Sequence, residues 1–193
     1  MTPGASGPIR PLPRILEASG SADLWSPPWR DVGLLLRDTT LPALVGHSGQ
    51  PYTVAVDCDG VEGLSDDRTA AEFVVTRLGF RIAVTRHVAM AGHVASLGGL
   101  ALLKVFALDS EGLHHSLDGH PRRPGIGTAI LPGVVLPHLD PELVARLPRP
   151  ILAYGLLVSP PDITECLKIA ESVVLRRDAV ASLASSLGPR EPG

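Results

Sequence analysis

The sequence predicts an α/β fold in which mostly parallel strands close into a compact or irregular (β/α)8, TIM-like barrel. Eight short apolar runs each stop at a glycine or a polar side chain, and most of them lead into a helix-like stretch. The runs are nearly continuous rather than alternating, which is typical of strands that are buried on both faces of a parallel sheet. They cover residues 11–17, 32–37, 52–57, 80–86, 100–106, 128–133, 150–155 and 172–176.

Helix signals separate most of these runs. Residues 65–78 carry apolar side chains on one helical face, with Ser65 as a cap and Gly79 as a stop. Asp140 before a proline, and Ser159 before two prolines, are typical of helix starts. The further predicted helices cover residues 88–97, 109–117, a short segment from 140, 159–171 and 178–187.

Length and composition favour one domain. A hydrophobic fraction of 45% fits an ordinary globular interior, and 19 prolines with 20 glycines among 193 residues indicate many short connections. A complete eight-unit barrel usually has ~250 residues, so some helices must be short or missing. We expect residues 10–187 to form a single barrel domain, with flexible ends over 1–9 and 188–193.

Charge and cysteine content limit the partners and the compartment. The net charge of −3 gives no long-range attraction to nucleic acid or anionic lipid, so any anion site must be local. Two isolated cysteines predict a reducing cytoplasm rather than a disulfide framework. The first residues lack a signal-peptide pattern. Residues 88–108 approach the hydropathy of a membrane span, but Lys104 would cost ~2.5–3.5 kcal/mol there, so no membrane association is expected.

Polar residues at the ends of the predicted strands are the candidates for function. Lys104 lies inside a buried strand, where it needs either an anionic ligand or an internal salt bridge, and both interpretations remain open. Arg86 follows another strand in the same way. Asp57, Asp59 and Glu62 either hold a hard cation or form an ordinary loop whose acids pair with Arg86 or Lys104.

Sequence motifs for common cofactors and catalytic sites are absent. The histidines have no metal-ligand spacing, and the chain contains no Walker loop, Gly-x-Gly-x-x-Gly element or Gly-x-Ser-x-Gly elbow. We therefore predict no metal, no cofactor and no catalytic residue.

Several segments, in order and over nearly the whole chain, resemble the glycerol-3-phosphate-responsive antiterminator family. They are Asp57-Cys-Asp-Gly-Val-Glu-Gly-Leu-Ser-Asp-Asp67, Ala71-Glu-Phe73, Val84-Thr-Arg86, Lys104-Val-Phe-Ala-Leu-Asp-Ser110, Ile130-Leu-Pro-Gly-Val134 and Ala153-Tyr-Gly-Leu-Leu157. The resemblance implies a barrel-like regulator, not an enzyme, that binds glycerol 3-phosphate, a small phosphorylated polyol. It would then act on the leader mRNA of glycerol-use genes and prevent early termination.

The resemblance also assigns roles to individual positions. The matching positions are Asp59, Arg86, Lys104 (an arginine in the family), Asp109, Ser110, Gly133 and Gly155. By analogy Arg86 and Lys104 face the phosphate or hydroxyls of the ligand, while Asp59 and Asp109 orient polar groups or brace those cations. Arg122, Arg123 and Arg177 are the candidates for RNA contact. A homo-oligomer is compatible with the sequence.

Departures from the family pattern concentrate on one predicted subsite. Asp57 replaces a histidine, Ala129 stands where the family has glutamate, and Tyr154 replaces the first glycine of a Gly-Gly pair. Glu171-Ser172 stands where the family has Gly-Ala, and Leu175-Arg176-Arg177 replaces a small hydroxyl-rich run. Small residues let backbone N–H groups approach a phosphate, which a tyrosine prevents. A guanidinium can bind phosphate instead, so Tyr154 and Arg176 are predicted ligand contacts.

Three functions are therefore compatible with the sequence. The first is the ligand-responsive antiterminator. The second is a divergent barrel that binds another small, phosphorylated metabolite without binding RNA. The third is a small barrel enzyme that uses Lys104 or the Asp57/Asp59 pair. All depend on Arg86, Lys104, Asp59 and Gly155 converging around one mouth of a closed ring of strands.

Overall fold

The protein forms a closed barrel of parallel strands in the computed structural model, which describes residues 12–19 and 32–187. In chain order the strands are β1 (Ile15–Ser19), β2 (Val32–Leu36), β3 (Thr39–Thr40), β4 (Val54–Asp57), β5 (Val61–Glu62), β6 (Ile82–Thr85), β7 (Leu100–Phe106), β8 (Ile126–Leu131), β9 (Ile151–Tyr154) and β10 (Ser172–Leu175). The barrel order is β1-β10-β9-β8-β7-β6-β4-β2, and β3 pairs with β5 outside it. The predicted barrel is confirmed, and each apolar run overlaps one barrel strand.

Short helices explain how 193 residues complete a barrel. The helices are α1 (Leu41–Gly46), α2 (Arg68–Glu72), α3 (Val88–Ser96), α4 (Ser110–Asp118), α5 (Pro141–Arg146), α6 (Pro160–Cys166) and α7 (Arg177–Leu187). A π-helical turn, Phe73–Arg77, continues α2, and 3-10 turns occupy Cys58–Gly60 and Gly133–His138.

Helix caps agree with the sequence in two cases and differ in a third. Asp140 accepts a hydrogen bond from the N–H of Glu142 at 2.7 Å, and Ser159 accepts one from Asp162 at 3.3 Å. The prediction of Ser65 as a cap is wrong, because Asp67 accepts from the N–H of Ala70 at 2.9 Å. The charged carboxylate suits the positive helix end better than a hydroxyl does. This hydrogen bond lowers the pKa of Asp67.

The end of α6 also differs from the prediction. The helix ends at Cys166 rather than near residue 171. The chain needs the remaining residues to return to the start of β10, where the N–H of Glu171 already donates to the carbonyl of Ile151 at 3.0 Å.

Side-chain alternation along the strands determines what fills the barrel. The interior is lined by Leu16, Leu35, Ala55, Ile82, Val84, Leu102, Ala129, Leu152, Tyr154 and Val174. Asp57, Lys104 and Tyr154 each lie two positions after an interior residue, so they point into the barrel at the carboxyl ends of their strands. They come from β4, β7 and β9, the third, fifth and seventh strands, as the residues of one barrel layer do.

The predicted flexible ends, 1–9 and 188–193, lie outside the described residues, as does the first residue of the 11–17 run. Within the parts of the chain that are described, no helix combines the length and the apolar character needed to cross a bilayer.

Candidate functional site

Lys104 forms an internal salt bridge with two aspartates inside the carboxyl end of the barrel. Its Nζ lies 2.7 Å from Asp57 Oδ1 and 2.8 Å from Asp59 Oδ2. The side chains of Lys104, Asp57 and Asp59 are only 10%, 7% and 11% exposed. Buried charges persist in proteins when they are paired in this way. The structure thus shows the internal salt bridge, one of the two interpretations that the sequence left open.

Asp59 is fixed by further donors from the end of β6. The hydroxyl of Thr85 donates to Asp59 Oδ1 at 2.8 Å, and the backbone N–H of Arg86 donates to Oδ2 at 2.9 Å. The N–H of His87 donates to Thr85 Oγ1 at 3.1 Å. The sequence interpretation did not single out Thr85, although a hydroxyl at the carboxyl end of a buried strand was a usable signal.

Tyr154 completes the cluster from β9. Its hydroxyl donates to Asp57 Oδ2 at 3.1 Å, and the guanidinium carbon of Arg37 lies 5.8 Å from its ring centroid. Burial and the nearby Asp57 raise the pKa of Tyr154, so the hydroxyl stays a donor. Arg37 also pairs with Asp38 at 2.7 Å. A large aromatic side chain therefore occupies a place at the mouth where the resembling family has a glycine.

The remaining arginines at this end lie on the rim. The Arg86 side chain is exposed, and its Nε donates to His87 Nε2 at 3.3 Å. His87 Nδ1 lies 2.9 Å from Asp66 Oδ2. The side chain of Arg176 is 83% exposed, with Asp178 at 3.4 Å. Arg86 thus reaches Asp59 through its backbone, while its guanidinium faces outward.

Three predicted ligand residues have structural contacts. Asp109 Oδ1 accepts the N–H of Gly112 at 2.6 Å at the start of α4. A Cβ on Gly133 would lie 2.6 Å from the backbone nitrogen of Tyr154, and the N–H of Gly133 already donates to the Gly155 carbonyl at 3.0 Å. Gly155 has a φ of +91°, which glycine tolerates best, and makes the turn after β9.

The predicted RNA contacts lie at two different ends of the barrel. Arg122 and Arg123 precede β8 and lie at the amino ends of the strands, whereas Arg177 follows β10 at the carboxyl ends. Arg123 donates to the carbonyl of Gly92 on α3. Arg177 Nε donates at 2.8 Å to Glu17 Oε1, whose side chain is 4% exposed.

The cluster does not provide an obvious nucleophile. In its ion pair, Lys104 Nζ is an ammonium group without a lone pair for imine formation. Burial, aided by the charge of Asp57, raises the pKa of the Cys58 thiol to about 12, so that thiol stays protonated. Among the described residues, no three His, Cys, Asp or Glu side chains are arranged to hold a metal ion.

What the cluster can do is exchange hydrogen bonds with a hydroxylated compound, since carboxylates accept and Lys104 and Tyr154 donate. The protein is a β/α barrel with a charged polar cluster at the carboxyl ends of its strands, where such barrels bind ligands.

The family model of the glycerol-3-phosphate-responsive antiterminators matches residues 42–176. The chain therefore belongs to this family of regulators.

Two solved structures have similar folds. A glycerol uptake operon antiterminator-related protein from Thermotoga maritima is 23% identical, with a TM-score of 0.61 over 84% of this chain and 94% of that chain. A glycerol uptake operon antiterminator regulatory protein from Listeria monocytogenes is 18% identical, with a TM-score of 0.65 over 83% of this chain and 90% of that chain. No curated protein matches the sequence significantly.

Proposed function

We propose that this protein is a cytoplasmic, ligand-responsive antiterminator that binds glycerol 3-phosphate at the carboxyl-end cluster and acts on a leader RNA. The observation that carries the proposal is the buried contact of Lys104 with Asp57 and Asp59 at the end of the barrel where ligands bind. Family membership supports the class of ligand. It also supports a regulator rather than an enzyme.

The charges suggest an orientation for the ligand. The inner cluster holds two carboxylates against one ammonium, so it repels a phosphate but accepts hydrogen bonds from hydroxyls. The exposed guanidinium groups of Arg86 and Arg176 lie on the rim, together with Arg37 above Tyr154. Guanidinium groups bind phosphate bidentately. We therefore expect the glycerol hydroxyls to point inward and the phosphate to contact the rim arginines.

A second candidate is a barrel that binds another small, phosphorylated metabolite without RNA. The hydrogen bond from Tyr154 to Asp57 favours it, because two departures from the family pattern meet in that contact. An aromatic ring at the mouth leaves less room than the family's glycine does. A ligand of different size or shape would then suit the site better than glycerol 3-phosphate.

Calorimetry with glycerol 3-phosphate, glycerol and inorganic phosphate separates the two candidates. The first predicts that glycerol 3-phosphate binds most tightly and that Arg86→Gln weakens it at least ten-fold while leaving the weak binding of glycerol unchanged. Arg77→Gln is the matched control, since Arg77 is also exposed but lies at the other end of the barrel.

Thermal unfolding supplies an independent measurement. A ligand at 100 times its Kd adds ~2.7 kcal/mol of stability, which raises the Tm of a chain of this size by roughly 5–11 °C. No shift with glycerol 3-phosphate, combined with a shift for another phosphorylated polyol, would favour the second candidate. Equal binding by the wild type and Arg86→Gln would contradict the proposed orientation.

A further inference from the structure

The two ends of the barrel carry different charges. At the carboxyl ends, Asp57 closes β4, and the loops that follow β2 and β4 contain Asp38, Asp59, Glu62, Asp66 and Asp67, with Arg37 and Arg86 beside them. The segments that precede several strands at the amino ends are instead rich in arginine. The chain therefore has a basic region at the amino ends of its strands, although its net charge is −3.

The basic region follows neighbouring strands. Its residues are all exposed and are called the amino-end arc here: Arg14 before β1, Arg122 and Arg123 before β8, Arg146 and Arg149 before β9, and Lys168 before β10. The strands β8, β9, β10 and β1 are consecutive around the barrel. Neighbouring strands lie only ~4.8 Å apart, so these cations share one continuous edge.

Contacts between the segments confirm that they are adjacent. Arg146 Nη2 lies 3.1 Å from Asp118 Oδ1, which links the segments before β9 and β8. Arg149 Nη1 donates to the Ile169 carbonyl at 2.9 Å, which links the segments before β9 and β10. The N–H of Val173 in turn donates to the carbonyl of Arg14 at 3.0 Å.

Positive charge on the arc exceeds what its carboxylates neutralise. Asp118, Glu165 and Glu171 each pair with one cation of the arc. Within residues 12–19 and 32–187, no carboxylate lies at ion-pair distance from Arg14 or Arg122. Exposed ion pairs are also weak, about 0–1 kcal/mol, so a phosphate can displace them.

We propose that the amino-end arc binds the phosphodiester backbone of RNA, at the opposite end of the barrel from the ligand cluster. This inference rests on the proposed antiterminator function. Guanidinium groups dominate the arc, and they contact phosphate oxygens bidentately. Three cations of the arc each pair with a single exposed carboxylate, and the others have no ion-pair partner among the described residues, so the arc keeps a net positive charge toward a polyanion. Arg177, which contacts Glu17 at the acidic end, does not belong to this surface.

Fluorescence anisotropy with a labelled RNA hairpin that carries a single-stranded tail tests the inference. Arg122→Gln/Arg146→Gln should reduce affinity about ten-fold or more and reduce the slope of log K against log salt by about 1.4–1.8, because each lost phosphate contact contributes ~0.7–0.9. The matched control, Arg68→Gln/Arg77→Gln, removes the same charge from the α2 side of the barrel and should bind like the wild type. Circular dichroism confirms that each variant is folded.

The outcomes separate this inference from the proposed function. Equal losses in both double variants, or no loss in Arg122→Gln/Arg146→Gln, would overturn the amino-end arc while leaving RNA binding intact. Wild-type protein that binds phosphatidylglycerol vesicles but no RNA would overturn it as well. Calorimetry with glycerol 3-phosphate on the same samples shows independently whether the ligand site functions.

Discussion

Replacing Lys104 by methionine tests whether the buried charge cluster is as tightly coupled as its geometry indicates. The substitution keeps the apolar stem and leaves Asp57 and Asp59 without the cation that contacts both, at 2.7 and 2.8 Å. All three side chains are close to 10% exposed, so solvent screens the carboxylates poorly. Removing one member of a buried ion pair costs about 3–5 kcal/mol. We expect that loss for Lys104→Met at pH 7.

Urea denaturation followed by circular dichroism measures the effect. For a chain of this size the expected loss corresponds to a fall in Tm of roughly 6–20 °C. Asp57→Asn/Asp59→Asn/Lys104→Met, which removes every charge, should recover most of the loss.

Lys168→Met is the matched control. Lys168 pairs with Glu165 at 2.6 Å, but the two side chains are 62% and 52% exposed, and such pairs contribute about 0.5 kcal/mol or less. A loss below ~1 kcal/mol for Lys104→Met, or no recovery in the triple variant without charges, would refute the reasoning that these charges are buried and interdependent.

The remaining predictions concern packing, protonation and coupling. Gly127→Ala should lower the free energy of unfolding by about 1–3 kcal/mol, because the added Cβ would overlap backbone atoms of the segment before β9. Gly46→Ala should not, because no atom lies within 4 Å of the added Cβ, and urea titration measures both variants. Burial lowers the pKa of His120, so the unfolded chain binds a proton more readily than the folded one, and the free energy of unfolding should decrease as the pH is lowered from ~7 to ~5. The variant His120→Gln should lose that pH dependence. A double-mutant cycle with Tyr154→Phe and Asp57→Asn should show a coupling energy of about 0.5–3 kcal/mol, and additive effects would contradict the hydrogen bond.

The barrel could be predicted because its signals are local. Each strand is a short apolar run that ends at a glycine or polar residue, and no long-range information is needed to recognise it. Helix ends were less predictable. Ser65 and Asp67 are both acceptable caps in isolation, and in the structure α2 begins after Asp67, whose side chain accepts the N–H of Ala70. The predicted helix end near residue 171 was too late, because α6 ends at Cys166 and the chain must already be extended to enter β10 at Ser172.

The direction of the strands alone predicted that polar residues meet at the carboxyl ends of the barrel. It did not predict which of these side chains contact each other. Tyr154 and Asp57 are 97 positions apart, and their contact depends on which residues of β4 and β9 point inward. The alternation from Ala55 and Leu152 fixes this. The separation of Arg122 from Arg177 was recoverable from the sequence, because one precedes a strand run and the other follows one.

Two of the departures from the family pattern contact each other in the structure. Asp57 stands where the family has a histidine, and Tyr154 stands where it has a glycine; in the structure the tyrosine hydroxyl donates to that aspartate. Asp57 gives Lys104 a second carboxylate, and Tyr154 binds its other oxygen. Each replacement satisfies a group that the other introduces, since a buried carboxylate needs donors and a buried hydroxyl needs an acceptor. The two replaced positions thus form one hydrogen-bonded contact at the carboxyl-end mouth of the barrel, and the calorimetric comparison of ligands tests whether this contact changes the ligand that is bound.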